Sequence, residues 1–75
     1  MSTNGIKWKL QAEARRLRRE ATNTTLEDLG AAMGLSAAQL SRYERGKAAA
    51  RADIIERWDA ALDRQEHLLE EEVEE

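Results

Sequence analysis

Residues 25–47, TLEDLGAAMGLSAAQLSRYERGK, decide how the rest of the chain is read. The hydroxyl of Thr25 can accept from a first-turn amide, and Glu27 and Asp28 complement the positive end of a helix beginning at 26. That helix is predicted to run to about Met33 and to stop at Gly34. Leu35 and Ser36 follow, and Ser36 is a suitable N-cap for a further helix over roughly 37–45, ended by Gly46. Leu29, Met33, Leu35, Leu40 and Tyr43 are spaced to face one another across the turn. Gly30 is small where the two helices must come close. Two short helices joined in this way brace one another and leave the second with an outward face.

Helix is also the expectation on either side. Proline is absent, glycine occurs only at 5, 30, 34 and 46, and no run of β-branched residues appears. Residues 7–21 give a first helix, with Leu10, Ala14, Leu17 and Ala21 on one face. Thr22, Asn23, Thr24 and Thr25 interrupt it, and Asn23 suits a left-handed C-cap. After the connector Lys47–Arg51, Asp53 is expected to cap a fourth helix whose stripe includes Ile54, Ile55, Trp58, Ala61 and Leu62. The fold class is all-α, a bundle of four or five helices. Residues 1–6 read as a flexible N-terminus, 7–65 as the folded domain, and 66–75 as an acidic tail or helix extension.

The net charge of −3 hides a division. Residues 1–51 hold ten Lys/Arg against five Asp/Glu, a balance of +5, whereas residues 52–75 hold two against ten, a balance of −8. Such asymmetry marks a basic binding surface beside an acidic segment. A chain of 75 residues has a small core, for which association with another chain or a bound ligand is a common support. No cysteine is present, so disulfides and thiolate metal sites are excluded, and the single His67 has no partner at metal-ligand spacing. No nucleophile–base set or phosphate loop stands out, so neither catalysis nor a cofactor is expected. Apolar runs are too short to span a membrane, and the first residues lack the apolar stretch of a signal peptide; a cytoplasmic protein is expected.

Gly34-Leu35-Ser36, followed by Leu40-Ser41-Arg42-Tyr43-Glu44-Arg45-Gly46, closely resembles the Cro/CI-like, or Xre, family of helix-turn-helix regulators. The resemblance covers about Ala14 to Leu62, and Glu56-Arg57-Trp58-Asp59-Ala60-Ala61-Leu62 is similar to the last core helix of many such regulators. It implies a lambda-repressor-like bundle that binds double-stranded DNA as a homodimer and regulates transcription, with a repressor expected. The recognition helix, 37–45, would enter the major groove. The resemblance also implies an ion pair between Arg18 and Glu44. Gly30 departs from the usual alanine at a cost of about 1 kcal/mol in helix propensity. Thr24 departs from a usual apolar residue, and Ala37 and Ala38 stand where polar base-reading side chains are common.

On that helix Arg42 points away from Leu40 and Tyr43, and arginine can donate two hydrogen bonds to guanine O6 and N7. Gln39 suits adenine or a phosphate, and Ala38, beside Ala37, can touch only a thymine methyl. Arg45 is a further candidate for base contact. Thr25, Ser36 and Ser41 can reach phosphate oxygens, the first two alongside their capping roles, and Lys47 suits a phosphate clamp. Arg15 and Arg19 share a face and either meet phosphates or sit in water.

The acidic end stays open. Ile55, Trp58, Leu62, Leu69 and Val73 match a short heptad seam that would serve a dimer. A solvated tail and a tail that competes with DNA are the other readings. A different function also remains: an antitoxin or anti-regulator that binds a protein through its C-terminal helix and autoregulates through its DNA-binding helices.

Overall fold

A computed structural model describes residues 3–73, with side chains placed for 6–71. Among the described residues four helices follow one another: α1 Thr3–Ala21, α2 Leu26–Met33, α3 Ala37–Glu44 and α4 Ala52–Val73. No strand occurs among the described residues. Residues 3–6, expected to be flexible, already belong to α1. At the other end α4 continues as helix to Val73, about 33 Å at 1.5 Å per residue.

The local signals work as their chemistry requires. Thr25 Oγ1 accepts from the Asp28 amide at 3.0 Å. Ser36 Oγ accepts from the Gln39 amide at 3.1 Å, and Gln39 Oε1 accepts in return from the Ser36 amide at 3.1 Å, a reciprocal capping box. Asn23, with φ 55°, and Gly34, with φ 75°, close α1 and α2 in the left-handed conformation. Asp53 is not the cap of α4. The helix begins at Ala52, so Asp53 lies in the first turn, where its charge still complements the helix end.

Leu29, Met33, Leu40, Trp58 and Leu62 are the large side chains wholly withdrawn from solvent, joined by Ala12 and Ala61. Leu35 and Tyr43 pack against them half-buried, as does Trp8, whose ring lies 6.3 Å from that of Trp58. Truncating Trp58 to alanine in such a core costs roughly 3–5 kcal/mol. Because Trp58 and Leu62 are completely buried inside their own chain, they cannot form the dimer seam expected of α4. Ile55 is half-buried, Leu69 is exposed, and the side chain of Val73 lies outside those described. The 3.5-residue pattern is real, but its first half is the inner face of α4.

α1 is turned differently from its apolar pattern. Leu10, Ala14, Leu17 and Ala21 face solvent, and the inner face is formed by Trp8, Ala12, Arg15 and Arg19. The arginines bury their stems and place their charges on fixed partners. Arg19 Nε and Nη2 donate to Glu44 at 2.7 and 3.1 Å, and Nη1 donates to the Thr24 carbonyl at 2.9 Å. The partner of Glu44 is therefore Arg19, not Arg18. One residue along a helix is a rotation of about 100°, enough to carry Arg18 to the α4 side. Arg18 there donates to Asp63 at 2.7 Å and to Glu66 at 2.8 and 2.9 Å.

Candidate nucleic-acid interface

α2 and α3 meet around Gly30, and the close neighbour is the turn between them rather than the facing helix. The Leu35 amide donates to the Gly30 carbonyl at 2.7 Å. A Cβ at Gly30 would lie 2.8 Å from the Leu35 carbonyl oxygen, so alanine cannot fit without moving backbone. The glycine at 30 thus lets the turn after α2 lie close against that helix. Thr24, the other departure, is buried but not unsatisfied: its hydroxyl lies 2.8 Å from that of Thr22 and 3.5 Å from Gln65 Oε1.

Leu40 and Glu44 hold α3 from within, Glu44 through the two-pronged bond to Arg19. Its carboxylate is 3% exposed, so the arginine supplies the compensation that a buried charge needs. With that side fixed, the opposite side of α3 faces solvent. Ala38, Gln39 and Arg42 are exposed there, Arg45 continues the face just past the helix end, and Ala37 and Ser41 flank it half-exposed. Thr25 and Ser36 are exposed at the starts of α2 and α3, and Lys47 and Arg51 are exposed in the loop that follows. A hollow of about 250 Å³ beside the strip is lined by Gln39, Arg42, Tyr43 and Ala48.

The charges divide in a consistent way. Arg15, Arg16, Arg18 and Arg19 of α1 all lie in ion pairs with carboxylates of the same chain. Arg15 donates to Asp59 at 2.9 and 3.2 Å and lies 5.3 Å from the centre of the Trp58 ring. Arg15 and Arg19 therefore turn inward onto carboxylates of their own chain rather than sitting in bulk water. Arg42, Arg45, Lys47 and Arg51 have no carboxylate partner among the described residues. The hydrogen bonds from Arg18 hold the Glu66 carboxyl below its ordinary range, and the same bond raises the guanidinium further above neutrality. Part of the acidity of α4 is thus spent on α1. The basic residues left uncompensated include those on and just after α3.

This arrangement is two capped helices in tight contact, with the second braced from behind and its outward side carrying free cations. The profile of the helix-turn-helix family matches residues 15–69. The chain belongs to that family, in its Cro/CI-type, Xre branch. No curated protein and no solved structure matches the chain. The four helices of this helix-turn-helix protein form the lambda-repressor-like fold, and the family is one of DNA-binding regulatory domains. No helix among the described residues is long and apolar enough to cross a membrane.

Sequence reasoning missed Arg19 as the brace of α3, although the i, i+4 spacing of Arg15 and Arg19 placed them together. It also missed that Gln39 already has a task, since its oxygen closes the capping box of its own helix. The Ser-x-x-Gln spacing was the available signal.

Proposed function

We propose that this helix-turn-helix protein binds duplex DNA sequence-specifically, inserting the outward strip of α3 into the major groove, and regulates transcription from the site it occupies. Where that site overlaps a promoter, it represses. Arg42 is the principal base reader, offering two donors to guanine O6 and N7. Ala38 touches a thymine methyl, with Ala37 at the margin, and Arg45 reaches a neighbouring base edge or phosphate. Thr25, Ser36, Ser41 and Lys47 set the register through phosphates. Gln39 donates through its side-chain NH₂ while its oxygen holds the cap, which favours a phosphate or single-bond base contact over the two-bond pairing with adenine.

The observation that carries this reading is the state of Arg42, exposed on α3 and without a carboxylate partner among the described residues, beside arginines of α1 that are all paired. Selection of bound duplexes from a random pool tests it. A recovered consensus with a guanine whose loss is specific to Arg42→Ala supports the reading, and recovery of random sequence contradicts it. A second reading, binding of a protein partner through the end of α4, is favoured by Leu68 and Leu69, which are exposed among acidic neighbours. Reproducible co-purification of one small protein, lost on Leu68→Gln with Leu69→Gln, would support it.

A further inference from the structure

The apolar face of α1 is not used by the fold. At about 100° per residue, Ile6, Leu10, Ala14, Leu17 and Ala21 fall within an arc of about 80° along roughly 22 Å of helix. Ile6, Leu10 and Leu17 are 64%, 62% and 53% exposed. Along one edge of this stripe run Lys9, Glu13, Arg16 and Glu20, alternating plus, minus, plus, minus. Arg16 now spans Glu20 at 3.0 Å and Glu13 at 3.5 Å, with solvent on its outer side. Read from its other end, the row has every sign inverted. Such a row is its own complement when a copy is laid against it in the opposite direction.

We propose that this face binds the same face of a second copy of the chain, as an antiparallel α1–α1 pair about a two-fold axis passing near residues 14 and 15. A two-fold contact requires that residue i meeting residue j is repeated as j meeting i. In this register Lys9 lies opposite the partner's Glu20 and Glu13 lies opposite the partner's Arg16, each repeated by symmetry. The apolar positions interleave: the partner's Leu17 falls between Leu10 and Ala14, and the partner's Leu10 falls between Leu17 and Ala21. Interleaved side chains are what close packing of two helices needs, and the alanines let the helices approach. Sliding one helix by a turn sets Lys9 opposite the partner's Arg16, or Glu13 opposite the partner's Glu20. The charge row therefore selects one register. The self-contact expected of α4 moves to α1, where the large apolar side chains are free. One helix face is a small interface, so self-association is weak, with a Kd on the order of micromolar.

Sedimentation equilibrium without DNA tests this separately from any DNA-binding claim. Glu13→Lys with Glu20→Lys makes the row wholly positive, and Lys9→Glu with Arg16→Glu makes it wholly negative. The account expects the native chain to reach the mass of two copies. Each variant alone should self-associate at least about tenfold more weakly, since like charges then meet at every position. An equimolar mixture of the two should recover association. Helical content by circular dichroism checks that each variant is folded. Leu10→Gln with Leu17→Gln, at positions already exposed, gives an independent arm in which mass should fall to one copy with helicity kept. A native chain that stays at one copy into the high micromolar range overturns the proposal. So do variants that associate as the native chain does, or a mixture that fails to recover.

Discussion

Arg18 and Arg19 are adjacent arginines with unequal tasks. Arg19 answers a carboxylate that is 3% exposed, whereas Arg18 meets Asp63 and Glu66 at the surface. Removing one member of a buried pair leaves an uncompensated charge, so Arg19→Ala or Glu44→Ala should cost roughly 3–5 kcal/mol in urea unfolding. Arg18→Ala should cost about 0.2–1 kcal/mol, because solvent screens its pairs. Equal losses for the two arginines would contradict this division. At Gly30, propensity and space conflict: alanine gains about 1 kcal/mol in an exposed helix. Here its Cβ would meet the Leu35 oxygen at 2.8 Å, so Gly30→Ala should destabilise by about 1–3 kcal/mol instead. A raised Tm would show that the turn can give. Gln39→Glu should leave stability nearly unchanged, since glutamate also closes a capping box, while weakening binding to DNA through repulsion from phosphates. The caps Thr25 and Ser36 were legible because a hydroxyl and the amide three residues on are neighbours whatever the tertiary fold. The choice between Arg18 and Arg19 was not legible, because it depends on the rotation of α1 against α3.

Among the elements, α2 and α3 followed from sequence almost to the residue, each being bounded by a cap and a glycine. α1 did not. Its apolar positions form a stripe, yet the fold buries Trp8, Ala12 and the stems of Arg15 and Arg19. Periodicity reports that one side is apolar and is silent on whether an arginine with a waiting carboxylate can claim the inner side. α4 shows the converse: Trp58 and Leu62 match a seam for a partner, but the nearest apolar surface is their own core. At its acidic end Glu66 is held by Arg18 of α1, while Glu70 and Glu71 are exposed. The carboxyl of Glu66 is held below its ordinary value of 4.5, so its contribution is fully present above that pH and is lost as pH falls through the lowered value. The stability difference between the native chain and Glu66→Gln should accordingly be small but measurable at neutral pH and should fade in acid. A difference that grew in acid would reverse the sign and exclude this pair as its source.

For the whole molecule, a net charge of −3 is a poor guide to what it binds, because carboxylates of α1, α3 and α4 pair with the arginines of α1, while Arg42, Arg45, Lys47 and Arg51 have no carboxylate partner among the described residues. The chain should therefore bind duplex DNA with strong salt dependence, log K falling by about 0.9 per phosphate neutralised for each unit of log salt. Lys47→Ala should lower affinity for all sequences alike and reduce that slope by about 1. The DNA-binding class was legible from Leu40 to Gly46 and the two caps. The identity of the operator was not, since alanine at 37 and 38 has no side-chain donor or acceptor with which to specify a base. The most direct test of the central claim compares the native chain with Arg42→Ala at fixed salt, each titrated against the selected duplex and a scrambled one. The account predicts a loss of about 1–3 kcal/mol on the selected duplex, a much smaller loss on the scrambled one, and relaxed preference at a single base pair. Equal losses on both duplexes, or none on either, would contradict the assignment of α3 as the reading helix and Arg42 as its reader.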